Sequence, residues 1–134
     1  MGRKIEQMRW PGGEHDFALF YGEIEILQDK CDAGPEFIFN SLAGRTYLQK
    51  YAFETLRLGL IGGGMPDGLA RRLVNDCKEN HPLRDFIVPA LNVLGAAIAG
   101  YEDDKPGEAQ GAEMNPTTPE ESGGSVASTE VELS

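Results

Sequence analysis

Glu54-Thr55-Leu56-Arg57-Leu58-Gly59-Leu60-Ile61-Gly62-Gly63-Gly64-Met65 is the stretch on which the fold turns. Phe53, Leu56, Leu60 and Ile61 recur at helical spacing, with Leu58 at the edge of the stripe, which predicts a helix from about Tyr47 to Ile61. Thr46 or a neighbour is placed to cap its start. Gly62, Gly63 and Gly64 then stop it, since each glycine costs about 1 kcal/mol in a helix interior. The same glycines are expected to let this helix and the next fold back closely on one another. They do not read as a phosphate loop, which needs GxxxxGK and a Ser or Thr on a strand-to-helix turn. Here the glycines follow a helix and no Lys comes behind them.

Beyond the glycines, Asp67 is a candidate cap for a helix from Gly68 to Glu79. Leu69, Leu73, Val74 and Cys77 are expected to face inward, with Arg71, Arg72, Asp76 and Lys78 outward. Asn80-His81-Pro82 ends it. From Leu83 to Gly100 a wide apolar stripe follows: Leu83, Phe86, Ile87, Ala90, Leu91, Leu94, Ala97, Ile98 and Tyr101. Pro89 either kinks this helix or marks its true start, with Leu83 to Val88 as a preceding turn.

Upstream, Pro35 to Leu42 reads as a short helix on Phe37, Ile38 and Leu42. Gly22 to Asp32 reads as another, on Ile24, Leu27 and Cys31, with acids early and Lys30 late as the helix dipole favours. Between them Gly34 is the expected left-handed cap and Pro35 the expected first helical residue. Phe17, Leu19 and Tyr21 alternate with Asp16, Ala18 and Phe20, as in a half-buried strand. Pro11-Gly12-Gly13 is a turn before it, and a partner strand is expected near Lys4 to Arg9. A lone hairpin is barely stable in water, so this one must pack on the helices. The predicted fold class is α+β, mainly α: an N-terminal β-hairpin on about five short helices, with a disordered C-terminal tail.

Residues 1–101 are expected to form one globular domain and residues 102–134 the acidic tail. The 134-residue chain carries a formal charge of -10. From Glu102 onward there are nine acids and one Lys, a balance of -8, which leaves 13 acids against 11 bases in the body. Aromatics vanish in the tail, and Pro, Gly, Ser, Thr and Glu dominate, a composition that cannot offset its ordering entropy. The charge argues against nucleic acid, which needs clustered Lys and Arg, and against anionic lipid. The longest apolar run, Phe86 to Ala99, is shorter than a membrane span and contains Pro89 and Asn92. No secretory signal is expected, because no apolar run follows Arg3-Lys4 before Pro11.

Two cysteines, Cys31 and Cys77, are too few for a disulfide scaffold and are expected to be reduced core residues. Cys77 and His81 lie four apart, and Cys31 and His15 would have to join them to make a four-ligand metal site. No paired CxxC or HxxxH element accompanies them. A Cys–His nucleophile would need an orienting group and an oxyanion hole that nothing in the sequence marks. No catalytic, cofactor or metal residue is therefore assigned. Leu58, Val88 and Val93 extend apolar surface beyond the main stripes and are the candidate protein-binding residues.

Several segments together resemble a gene-transfer-agent tail protein family. They are Gly12 to Phe17, Gly22-Glu23-Ile24, Leu27 to Pro35 and the Glu54 to Met65 stretch, followed by Ala70 to Val74, His81-Pro82-Leu83 and Ala96 to Gly100. The resemblance spans about residues 12–104, and Arg57 to Met65 is its most specific part. Members of that family are small proteins encoded among phage-like tail genes beside the tape-measure protein. They are described as tail tube proteins and also viewed as tail assembly chaperones. The resemblance implies a non-enzymatic role in tail morphogenesis, without cofactor, with the tape-measure or tail tube protein as partner and self-association as a further option. It places the protein in the cytoplasm of a bacterial host, or in the particle if it is a structural subunit. A tube subunit is expected to be a β-rich sandwich or barrel, so one hairpin and five helices lean towards the chaperone. A chaperone would cover the long apolar helices of a tape-measure protein by mass action.

Overall fold

The computed structural model describes residues 3–100, and the predicted tail from residue 102 lies outside them. Two strands, β1 (Lys4–Trp10) and β2 (Gly13–Ala18), form an antiparallel hairpin. Five α-helices follow: α1 (Tyr21–Cys31), α2 (Pro35–Ala43), α3 (Gln49–Gly62), α4 (Asp67–Lys78) and α5 (Ile87–Ala99). A single 3₁₀ turn, Leu83–Phe86, leads into α5. The predicted α+β, mainly α architecture is the one observed.

α3 is the centre. β2, α1, α4 and α5 all pack on it, and α2 packs on α5. From Tyr51 to Leu60 every residue of α3 except Glu54 is buried. A helix enclosed on all sides is expected to be apolar around its circumference, and this one nearly is. Its polar members are satisfied locally. The Thr55 hydroxyl donates to the Tyr51 carbonyl at 2.6 Å. The Arg57 guanidinium meets Glu54 at 2.7 Å and Asp67, on the first turn of α4, at 2.9 Å.

The three glycines do more than end a helix. A Cβ on Gly62 would collide with the Ala18 carbonyl, and one on Gly63 with the Asp16 carbonyl. A Cβ on Gly59, one turn earlier, would meet the Phe17 ring at 2.9 Å and Val93 at 3.1 Å. Gly59, Gly62 and Gly63 share one face of α3, and strand β2 lies directly against it. The close approach that Gly62 and Gly63 permit is therefore to the hairpin, while α4 packs on α3 through Ala70, Val74 and Cys77. Gly64 alone has the positive φ, +117°, that closes the helix. The Met65 N–H donates back to the Leu60 carbonyl across it at 2.9 Å.

Several boundaries differ from the sequence expectation. β2 ends at Ala18, and Phe17, Ala18 and Leu19 are buried in succession where α3 and α5 pack on the strand. Tyr21 opens α1 instead of continuing the strand: the Glu23 carboxylate accepts from the Phe20 N–H at 3.0 Å and fixes the helix start there. The left-handed cap after α1 is Asp32 (φ 53°), not Gly34. Asp tolerates that conformation through its short polar side chain. Gly34 precedes α2 in extended conformation, and Pro35 takes the first helical position as predicted. Leu48 and Pro66 occupy the positions before α3 and α4, so Thr46 and Asp67 are not caps. Asp67 is the first residue of α4 and serves Arg57 instead. α5 starts at Ile87, which leaves Pro89 in the first turn, where the missing N–H is harmless.

The hairpin carries one irregularity. Ile5 pairs with Phe17 and Met8 with His15, so two residues of β1 stand opposite Asp16 alone. Gln7 adopts φ 56° there, and its N–H donates to the Asp16 carboxylate at 2.9 Å. Bulges of this kind twist an edge strand and hinder further pairing.

Candidate interaction surface

The three predicted protein-binding residues have different fates. Leu58 is 2% exposed and Val93 is 1% exposed, so both belong to the protein's own core. They follow from the burial of α3 on every side and of α5 on a broad arc. Val88 remains outside, 63% exposed on the first turn of α5. Gly62 and Gly63 serve the hairpin contact and Gly64 the turn, as described above.

Apolar side chains that sequence reasoning placed inward, or did not single out, also reach solvent. Leu69 is 50% exposed, because Ala70, Val74 and Cys77 form the buried face of α4 and Leu69 stands beside it. Phe37 on α2 is 59% exposed and meets the Tyr51 ring edge-on at 6.3 Å between centroids. Leu48, ahead of α3, is exposed as well. Helical spacing alone does not separate Leu69 from Leu73 or Phe37 from Ile38. The small residue Ala70 is the signal that would have centred the buried face of α4 correctly. At the hairpin–α1 junction Phe20 and Tyr21 are exposed, with the Arg3 guanidinium 4.9 Å from the Tyr21 ring.

Beside α4, exposed Leu69 and the half-buried Met65 and Leu73 border a groove. Met65, Leu69 and Leu73 line it together with Arg72 and Asp76, around a space of about 200 Å³.

The two histidines considered for chemistry have other partners. His15 Nδ1 accepts a hydrogen bond from the Trp10 indole at 2.8 Å, while His81 lies 3.6 Å from Asp85 and edge-on to Phe86. Among the described residues no three His, Cys, Asp or Glu side chains converge as metal ligands would. Both cysteines are free and buried. Burial, with help from the nearby Glu54, pushes the Cys31 thiol up to about 11. Burial and then Asp76 raise that of Cys77. A nucleophilic cysteine needs the opposite shift. No helix among the described residues is long and apolar enough to cross a membrane.

A comparison with known families finds a match. Residues 5–100 match the family described as "Phage tail tube protein, GTA-gp10". The chain belongs to this family. The match begins in β1 and ends after α5, so it takes in the hairpin, the α3 glycines and the whole helical body. None of the curated proteins and none of the solved structures matches the chain. The family description is that of a tail component.

Proposed function

We propose that this tail protein acts during tail assembly as a chaperone that binds apolar helical stretches of the tape-measure protein and yields them to tube subunits. One observation carries the reading. Among the described residues the only sheet is a two-stranded hairpin, and the rest is helices around one enclosed helix. Stacked tube rings are expected to be built from continuous sheets, which this body does not offer. Helical surfaces with exposed apolar anchors such as Val88 and Phe37 suit a partner helix. Binding of this kind is reversible, needs no cofactor or nucleotide, and takes place in the cytoplasm of a bacterial host.

Co-expression with the tape-measure protein tests it. The tape-measure protein should become soluble only alongside this chain, and Val88→Glu should weaken that effect while the variant stays folded. Equal solubility of the tape-measure protein alone would defeat the reading. The family description favours a second reading, a tube subunit retained in the particle. Mass spectrometry of purified particles separates the two, since a chaperone is absent from the finished tail.

A further inference from the structure

α4 is held from one side. Ala70, Val74 and Cys77 face α3, and no other element packs on α4 to a comparable extent. Beside that buried face lie Leu69 and Leu73, with Met65 from the preceding turn, bordered by Arg72 and Asp76. Arg72 and Asp76 are four residues apart and so occupy the same side of the helix. Neither forms an ion pair with a described residue, whereas neighbouring Arg71 is engaged with Asp67 at 3.4 Å. The apolar line is thus flanked by one available cation and one available anion, about 6 Å apart along the helix axis.

We infer that this face pairs with a second copy of itself, the two α4 helices lying antiparallel about a two-fold axis. Such a contact requires a patch complementary to itself. Reversing the helix direction brings Arg72 beside the partner's Asp76 and Asp76 beside the partner's Arg72. The Leu73 side chains then meet near the axis, and Leu69 covers each flank. A parallel pairing would set Arg72 against Arg72 and is disfavoured by like-charge repulsion. The charge arrangement singles out a second copy as occupant. A foreign apolar helix would be served by the leucines alone, but a self-contact needs opposite charges offset along the helix. The inference does not rest on the chaperone reading, because it concerns the isolated chain.

Sedimentation or light scattering of the purified full chain across the micromolar range reads it directly. The mass should rise from 14.6 kDa towards twice that value as concentration increases. Arg72→Asp and Asp76→Arg should each weaken self-association about tenfold or more. An equimolar mixture of the two variants should restore it, because each then meets its opposite charge twice. The double variant R72D/D76R should pair with itself as the wild type does. Circular dichroism confirms that these exposed substitutions leave the helices intact. A wild-type chain that stays at its monomer mass at every concentration overturns the inference. So does a dimer indifferent to both reversals, or a loss that the mixture and the double variant fail to rescue. These outcomes are independent of tape-measure solubility, which reports on the proposed function alone.

Discussion

Gly62 in α3 lies against the Ala18 carbonyl at the end of β2 so closely that the space holds no side chain. Gly63 stands in the same relation to Asp16. The hairpin is docked on α3 by backbone-to-backbone contact, and Phe17 and Leu19, both wholly buried, are carried into the core by that docking.

Alanine at either glycine must push strand and helix apart, and the obstacle is rigid backbone. Gly62→Ala and Gly63→Ala should each cost about 2–3 kcal/mol or prevent folding, at the upper end of what overpacking costs. Gly68 is the control. It is helical with open space around its missing Cβ, so Gly68→Ala should be neutral or stabilise by about 0.4–1 kcal/mol. Urea unfolding of the three variants measures the contrast. Equal effects at Gly62 and Gly68 would mean that helix propensity, not the strand contact, explains the run.

The helices were legible because their apolar residues keep the 3.6 period, and Gly, Pro and Asn mark most of the breaks between them. What was not legible is what tertiary contact decides. The stop after α3 could be read from three glycines, but their use against β2 could not, since the strand lies more than forty residues earlier in the chain. A single apolar stripe on α3 makes Leu58 and Val93 read as surplus surface, whereas α3 is enclosed on nearly every side and both residues are core. Leu69 failed in the opposite sense: a leucine outweighed an alanine in the pattern, yet Ala70 lets α4 sit closely on α3. The sequence points to Gly34 as the cap because glycine is the easiest left-handed residue, yet Asp32 takes that conformation.

The hairpin end is held by the only tryptophan. Trp10 is buried, its indole N–H donates to His15 Nδ1, its ring meets Phe17 edge-on at 5.5 Å, and it leaves no room for a Cβ on Gly12. His15→Ala should leave the indole N–H without its partner and cost about 1 kcal/mol. The same variant should shift the tryptophan emission in the folded state, because the indole loses its polar neighbour. An unchanged spectrum would show that the indole does not depend on His15.

Arg57 ties α3 to the start of α4 from a buried position, its side chain only 8% exposed. Its two carboxylates differ from it: Glu54 is part-exposed and Asp67 is more than half exposed. Removing the arginine lets both acids return to water, whereas removing Glu54 leaves a buried cation short of two hydrogen bonds. Arg57→Met should therefore cost only about 1 kcal/mol, and Glu54→Ala about 2 kcal/mol, because Asp67 alone, itself largely exposed, then compensates the buried cation. Chemical denaturation of both variants checks the order, and the reverse order would refute this account of the cluster.

Cys31 gives the pH dependence a definite sign. Its thiol is pushed from 9.0 to about 11 by burial, with the Glu54 charge adding to the effect and Lys50 opposing it. Between those two values the unfolded chain has lost the proton and the folded chain has kept it, so the folded state binds more protons and stability falls as pH rises. The contribution is complete below pH 9 and disappears as pH climbs through about 11. Other groups titrate in the same range, so the wild type must be compared with Cys31→Ala. The variant should show a shallower loss of stability across that window, even if its overall stability is lower from the cavity. A thiol reagent at neutral pH gives the kinetic counterpart, since the thiolate is the reactive form. Labelling of Cys31 should be slow in the folded protein and prompt in denaturant. Fast labelling of the folded chain would contradict a buried, protonated thiol packed with its Sγ 4.0 Å from the Lys50 carbonyl.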